Sequence, residues 1–536
     1  MTLGRRMLSY FPMTQSLNWR LLAFLVLFID VKLAVKLFAL VAIYLMQPDF
    51  RFGFTLKNSR LPLFYPLVIL LALVNWIIQK GFMNTESSLP FLLGIAFWLG
   101  AILAIHQLKL FTERMSAEAI VHTLIVFFVI NAVVSYAQIL LIILDAHSIN
   151  PYTYQGEYQK YFISTGDYIK GVSFDTSVTN AALNALGVLF FLFRKNILMT
   201  LLCMSVLLLT VSNLTNILLF IVLVYVFIFH SDRNQKSVIA LCSFLLLLFL
   251  IRITPQNDRY IFEVYGKLTG TNTVSKASTL NIPLSLREDS TLGPEEKKQK
   301  FAMLYLDSMN RAHNHFTDPS MAALTASTKE RPLLPVANIH SRPYQFRDDT
   351  TETRKKLLAF IDDNGLQRTI QAGMPGKIIA ARQTIDAFRA HPATLLLGNG
   401  MGHFSSKLAF RTTALGIAGS YPATYSFIDP AFQSNHLSVY LSYFTANPKL
   451  HSVINSPNSV YLQLAGEYGL IGLLGFAIFY IGYFLKRGSL DGYNIAILLL
   501  LLGMLCTDYW FEQLSVIPFF ELILLLHIKE KTAVHV

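Results

Sequence analysis

RLLAFLVLFIDVKLAVKLFALVAIYLM, residues 20–46, is the stretch on which the fold turns. It is long enough to cross a bilayer of about 30 Å hydrocarbon once, yet Asp30, Lys32 and Lys36 interrupt it. It is either one long helix carrying those charges in lipid or two short helices that turn near residues 30–32. Further apolar runs follow at 61–80, 89–108, 117–144, 181–193, 196–212, 214–230, 237–253, 459–485, 493–507 and 514–528. Charge counting decides between the two readings. With two helices and a cytoplasmic N terminus, 16 basic residues fall inside: Arg5, Arg6, Arg20, Arg51, Lys57, Arg60, Lys109, Arg114, Arg194, Lys195, Arg233, Lys236, Lys486, Arg487, Lys529 and Lys531. The short outside loops receive only Lys32, Lys80, Lys160 and Lys170. One helix would invert everything before residue 181, so the positive-inside rule favours two helices and about 12 spans with both ends cytoplasmic.

Composition agrees. Of 536 residues 54% are hydrophobic and only 14% charged, against about 25% in a soluble domain. So few charges cannot clothe a 60.5 kDa soluble protein, and a soluble enzyme, a secreted disulfide scaffold and a disordered chain are excluded. The formal charge of +12 reads as a topological signal rather than a nucleic-acid surface. Cys203, Cys242 and Cys506 lie in apolar runs and read as buried small hydrophobes, with no metal spacing. Arg5 and Arg6 precede an apolar stretch with no small-x-small cleavage site, so it reads as an uncleaved first span.

The expected fold is therefore an all-α polytopic membrane protein. It divides into an N-terminal bundle over 1–253 with about eight spans, a large extracytoplasmic loop over 254–458, and a C-terminal bundle over 459–536 with three to four. The loop carries 22 of the 44 basic and 16 of the 32 acidic residues, and a long loop translocates regardless of charge. Function is expected there. Residues 267–295 and 317–350 read as irregular, with a helix starting after Pro294. Residues 375–390 read as a helix, with Pro375 in its first turn and Ile378, Ala381, Ile385 and Phe388 on one apolar stripe. Arg382, Asp386 and Arg389 share another face, where a solvated salt-bridge face is the plain interpretation.

Two motifs follow. LLLGNGMGHF, residues 395–404, has glycines at 398, 400 and 402, which permit tight turns with bare amides. With Lys407 and Arg411 nearby it is either a phosphate pocket or a set of structural turns. The second, NSVYLQLAGEYGLIG at residues 458–472, begins a span; Asn458 or Ser459 can cap its helix. Glu467 then falls at membrane depth, where an ionisable group marks function or pairs with a neighbouring span.

The second motif resembles the signature of the bacterial O-antigen ligase and polymerase family, roughly H-N-x-Y-L-x-x-L-x-E-x-G-x-x-G. Tyr461, Leu462, Leu464, Glu467, Gly469 and Gly472 match it. The first resembles that family's R…A…H-P…G-x-G-x-G-x-F pattern, supplied by Arg382, Ala387, His391, Pro392, Gly398, Gly400, Gly402 and Phe404. The likeness extends to about 12 spans with one large late periplasmic loop. Two departures stand out: the family's histidine falls at Asn458, and Ser212 is followed by Asn213 where many members carry Ser-Arg.

What the resemblance implies is an inner-membrane glycosyltransferase with its loop facing the periplasm or exterior. It would need neither metal nor other cofactor, and would move a glycan from a polyprenyl-diphosphate-linked oligosaccharide to an acceptor hydroxyl. The acceptor is another glycan or a lipid A core, with membrane lipids and other polysaccharide-assembly proteins as partners and no nucleic acid. A diphosphate leaving group calls for guanidinium donors. Arg382 and Arg411 are the candidates, with Arg389 in reserve. His451 is the first candidate base and Glu467 the second; His313, His315, His340, His403 and His436 carry no positional argument. Polymerase is preferred over ligase because Asn458 departs from the histidine of the ligases. The alternative is a transporter or flippase of lipid-linked glycans.

Overall fold

The computed structural model describes residues 17–30, 32–83, 85–147, 149–153, 165–249, 374–413, 427–443 and 453–534. Among these residues every regular element is helical, with no strand. The deciding stretch is a helix pair. Asn18 accepts the Leu21 N–H at 2.9 Å and opens α1 (Trp19–Phe28). Asp30 Oδ1 then takes the Lys32 N–H at 2.8 Å, holding the turn from which α2 (Leu33–Met46) packs back on α1. The acid that would be costly within one long helix instead closes a loop between two short ones.

The chain continues as α3 (Phe64–Ile78), α4 (Thr85–Arg114), α5 (Ala117–Ala146), α6 (Ser177–Phe193), α7 (Ile197–Leu209), α8 (Asn213–Phe229) and α9 (Arg233–Leu248). After residue 374 come α10 (Gly376–Ala390), α11 (Thr394–Leu397), α12 (Lys407–Arg411), α13 (Pro430–Ser434) and α14 (Leu437–Tyr443). Then α15 (Val460–Gly475) runs through a π-helical stretch (Phe476–Ile481) into α16 (Gly482–Gly488), followed by α17 (Gly492–Met504), α18 (Trp510–Gln513) and α19 (Ile517–Val534). The expected helix after Pro294 and the irregular stretches 267–295 and 317–350 lie outside the described residues.

The packing is that of a protein dissolved in lipid. Helices α6 and α19 are buried nearly all round: residues 181–192 and 519–526 have relative exposures of 2% or less. The outer helices turn large apolar side chains outward instead, among them Phe38, Leu45, Ile228 and Phe244, at 59–79% exposure. Water would not tolerate such rows, whereas hydrocarbon does. Three helical stretches are long and apolar enough to cross a membrane on length and composition: Ser87–Arg114, Ala117–Leu144 and Val453–Gly488. Among the described residues seven further apolar helices, from Trp19–Phe28 to Gly492–Met504, are shorter, at 10–17 residues. At 1.5 Å per residue these reach roughly 15–26 Å.

Polar ties gather the helix ends into two groups. At one end Arg60 pairs with Glu113, Arg114 with Asp49 (2.7 Å) and Arg194 with Glu530 (2.7 Å), while Lys529 donates to the Thr112 and Met115 carbonyls. At the other end the residue 165–176 segment sinks into the bundle. Asn131, Asn180 and Gln138 bond its backbone, the last by taking the Gly171 N–H at 2.9 Å and donating to its carbonyl at 3.3 Å. Asp175 lies near the end of that segment, within electrostatic reach of Lys407, which puts α12 at the same end.

Two expectations change. Cys203 and Cys242 are buried, but Cys506 is exposed, because it sits in the turn after α17 rather than within it. Helix α10 starts after Pro375 as its spacing predicts, but its buried residues are Gly376, Ala380 and Thr384. Ile378 and Ile385 of the apolar stripe stand exposed. The cause is backbone proximity: at Gly376 any Cβ would collide with the Asn455 carbonyl, so only a small-residue face can dock there.

Candidate functional site

Helix α15 breaks at Gly469, whose φ of +64° and ψ of −162° lie outside the range of L side chains. A break in an apolar helix frees carbonyls that lipid cannot satisfy. The glycine turn supplies the missing donors. Asn399 N–H and side-chain Nδ2 reach the Gly466 carbonyl at 2.8 and 3.1 Å, and Gly400 N–H reaches the Glu467 carbonyl at 3.0 Å. From α3, Asn75 donates to the Leu397 carbonyl (2.6 Å) and to that of Glu467 (3.3 Å), while Gln79 donates to the Asn399 carbonyl (2.6 Å). The two motifs separated by about sixty residues are thus one interlocked unit. Gly398 has φ +78°, and a Cβ on it would strike the Glu467–Tyr468 backbone. The amides of Asn399 and Gly400 are spent on the helix.

Glu467, two turns into α15, is fully buried, and neither carboxylate oxygen makes a hydrogen bond of standard geometry. It faces the amides of Gly402 and Phe404 and the Ser406 hydroxyl, and lies within electrostatic reach of Glu512. Glu512 in turn receives the Lys407 and Leu408 amides at 2.8 and 3.3 Å, and Ser406 caps α12 by accepting the Ala409 N–H at 3.0 Å. Glu512 therefore fixes the 407–408 backbone, while Glu467 lies buried beside residues 402–406.

That backbone presents Lys407 and Arg411 four residues apart on α12. Both are half-buried, and among the described residues neither makes an ion pair or a side-chain hydrogen bond. Like charges at this spacing repel. Burial first, and then the Arg411 charge, hold the Lys407 ammonium below its ordinary value. Asp175 is within electrostatic reach of both Lys407 and Lys36; one of its oxygens accepts the Thr179 hydroxyl at 2.9 Å and the other is buried without a partner. Lys36 spends its ammonium on the Phe28 carbonyl at 2.7 Å. Neither lysine comes within 4.0 Å of the Asp175 carboxylate.

Arg382 and Arg389 are placed differently. Both stand exposed on α10 and share Asp386, at 3.7 and 3.3 Å. Asn458, where the resemblance calls for histidine, donates to Asp508 (3.3 Å) and through its carbonyl accepts the Lys377 ammonium (2.5 Å). Burial lowers Lys377 to about 8, against the opposing pull of Asp508. Neither expected cap forms: Ser459 takes the N-cap position of α15 without a side-chain bond. Tyr461 donates to the Leu502 carbonyl at 2.8 Å, and Gly472 packs against Tyr468. His451, His313, His315 and His340 lie outside the described residues.

Two histidines passed over in the sequence acquire partners. His436 is enclosed, its Nε2 on the Ala380 carbonyl (3.0 Å) and its Nδ1 on the Ser405 hydroxyl (2.7 Å), and burial lowers it to about 4. A chain of hydroxyls continues from Ser405 to Tyr509 (3.1 Å) and Tyr440 (2.6 Å). His403 places Nδ1 2.8 Å from Asp429 Oδ2. The one signal for His403 in the sequence is its position directly after the third glycine; Asp429 is 26 residues away.

No family model, curated protein or solved structure matches this chain.

Proposed function

We propose that the protein is a bacterial inner-membrane glycosyltransferase with 12 spans, cytoplasmic termini and the α10–α14 unit on the outer side. It transfers a glycan from a polyprenyl-diphosphate carrier to an acceptor hydroxyl, polymerising surface polysaccharide rather than ligating it to a lipid A core. The observation that carries this reading is the Lys407–Arg411 pair, which makes no ion pair among the described residues and stands on a backbone held by the buried Glu512 where the two motifs interlock. Such a pair is suited to a dianionic group. A diphosphate bridging both cations is charge-matched, and as a leaving group it gathers charge in the transition state, where each fixed donor is worth about 3 kcal/mol. The segregation of the paired basic residues to the opposite end supports the orientation. Arg382 and Arg389, already sharing Asp386, are assigned to the rim.

The broken α15 also suits a transporter, where unwound carbonyls hold ions. Here those carbonyls already receive the Asn399 and Gly400 amides, which favours transfer over transport. The test is a reconstituted assay with polyprenyl-diphosphate oligosaccharide from the native host. A ladder of products with lipid diphosphate released is expected. Transfer only after a lipid A core is added would make it a ligase. Transbilayer movement of the donor without any release of lipid diphosphate would replace the proposal with a flippase.

A further inference from the structure

On the reading of the protein as a transferase, we infer that His403, oriented by Asp429, is the base that takes the proton of the acceptor hydroxyl. A carboxylate only accepts, so the 2.8 Å contact to Asp429 Oδ2 requires the imidazole to carry its proton on Nδ1. The lone pair of the neutral ring is thereby left on Nε2. Among the described residues that nitrogen has no hydrogen-bond partner and is not enclosed. Its orientation is over-determined. Asp429 Oδ1 accepts the Ala431 N–H at 2.7 Å at the start of α13, and the Phe427 ring lies edge-on to the imidazole with centroids 5.0 Å apart. The His403 amide donates to the Gly400 carbonyl at 3.2 Å, and the Phe427 amide to that of Thr412 at 2.8 Å. Thr412 follows Arg411 directly, so one set of contacts holds both the imidazole and the end of α12.

The other described candidates fail on access. Glu467 is sealed against the 402–406 backbone, and His436 uses both nitrogens inside the protein. A carboxylate-oriented imidazole with a free Nε2 is the arrangement that general-base catalysis needs. In the step, the acceptor oxygen forms its bond to the anomeric carbon as its proton passes to Nε2. The bond from that carbon to the diphosphate oxygen breaks, and its electron pair leaves with the lipid diphosphate. Asp429 stabilises the imidazolium, which then returns its proton to water or to the released diphosphate.

The full-length protein in proteoliposomes, given polyprenyl-diphosphate oligosaccharide, tests this with His403→Gln, His403→Ala and Asp429→Asn. His403→Gln should lower kcat by about 100-fold with the donor KM unchanged. Added imidazole should restore part of the His403→Ala rate, and Asp429→Asn should lower kcat less than His403→Gln does. Wild-type kcat in both His403 variants overturns the assignment and leaves the transferase reading standing. Loss of donor binding together with turnover, and no rescue by imidazole, makes His403 structural and overturns it equally. No release of lipid diphosphate by the wild-type protein overturns the transferase reading and this inference with it.

Discussion

The ion pairs at one end of the helix bundle and the buried charge cluster at the other treat charge in opposite ways. At one end many of the cations are matched: Arg51 and Arg114 share Asp49, Arg60 and Lys109 share Glu113, Lys195 meets Asp232, and Lys531 and His527 share Asp491. At the other end Lys36, Lys407 and Arg411 lie among Asp175, Glu467 and Glu512 without one ion pair among them. The first arrangement is complete as it stands and anchors the loops. The second keeps charges apart that could have neutralised one another, with backbone amides and carbonyls occupying several of the groups instead. Unspent charge costs folding free energy, and its retention points to a ligand that supplies the missing partner.

The largest expected effect breaks that contrast directly. Arg411→Gln or Lys407→Gln should lower transfer by about 100-fold, the equivalent of one lost transition-state donor, whereas Arg194→Ala at the matched end should leave it within about twofold. Arg382→Ala is the sharper control, since it removes a guanidinium that already shares Asp386; rates in the reconstituted assay should fall far less than for Arg411→Gln. Equal losses for Arg382 and Arg411 would erase the distinction between the two helices.

Next come the glycines that join the motifs. Gly398→Ala and Gly469→Ala each force a Cβ into a left-handed conformation and against a neighbouring backbone. A loss of about 2–4 kcal/mol in stability is expected, read as a fall in the denaturation midpoint in detergent. Gly472→Ala, which meets chiefly the Tyr468 side chain in a helical segment, should cost less.

A smaller effect is pH-dependent. His436 titrates near 4 when folded, against 6.5 in an open chain, so between those values the unfolded form binds the extra proton. The stabilisation is fully present above pH 6.5, declines as pH falls, and levels off below 4, a change of about 3 kcal/mol. Hydrogen exchange of α10 and α14 at pH 7 and pH 5 should show the loosening, and His436→Gln should flatten it.

Much of this was legible in the sequence. The charges at residues 30–36 gave the α1–α2 turn because a charged residue within lipid is costly, and Asp30 closes that turn. Pro375 marked the start of α10, and the pair Asn458–Ser459 marked the start of α15. Other features depend on contacts far apart in the chain. Asp175 is 232 residues from Lys407 and reaches it only because Asn131 and Asn180 draw the 165–176 segment into the bundle. The exposed stripe of α10 follows from a carbonyl at Asn455 that no periodicity reveals. Asn458 looked like a cap and serves Asp508 and Lys377 instead.

The most direct measurement is the binding of a polyprenyl diphosphate to the protein in nanodiscs, comparing wild type with Arg411→Gln and Arg389→Ala. The unpaired cations predict that affinity falls at least tenfold in Arg411→Gln and stays unchanged in Arg389→Ala. Equal affinity in all three proteins would contradict the claim that the unmatched end of the bundle is built for a diphosphate.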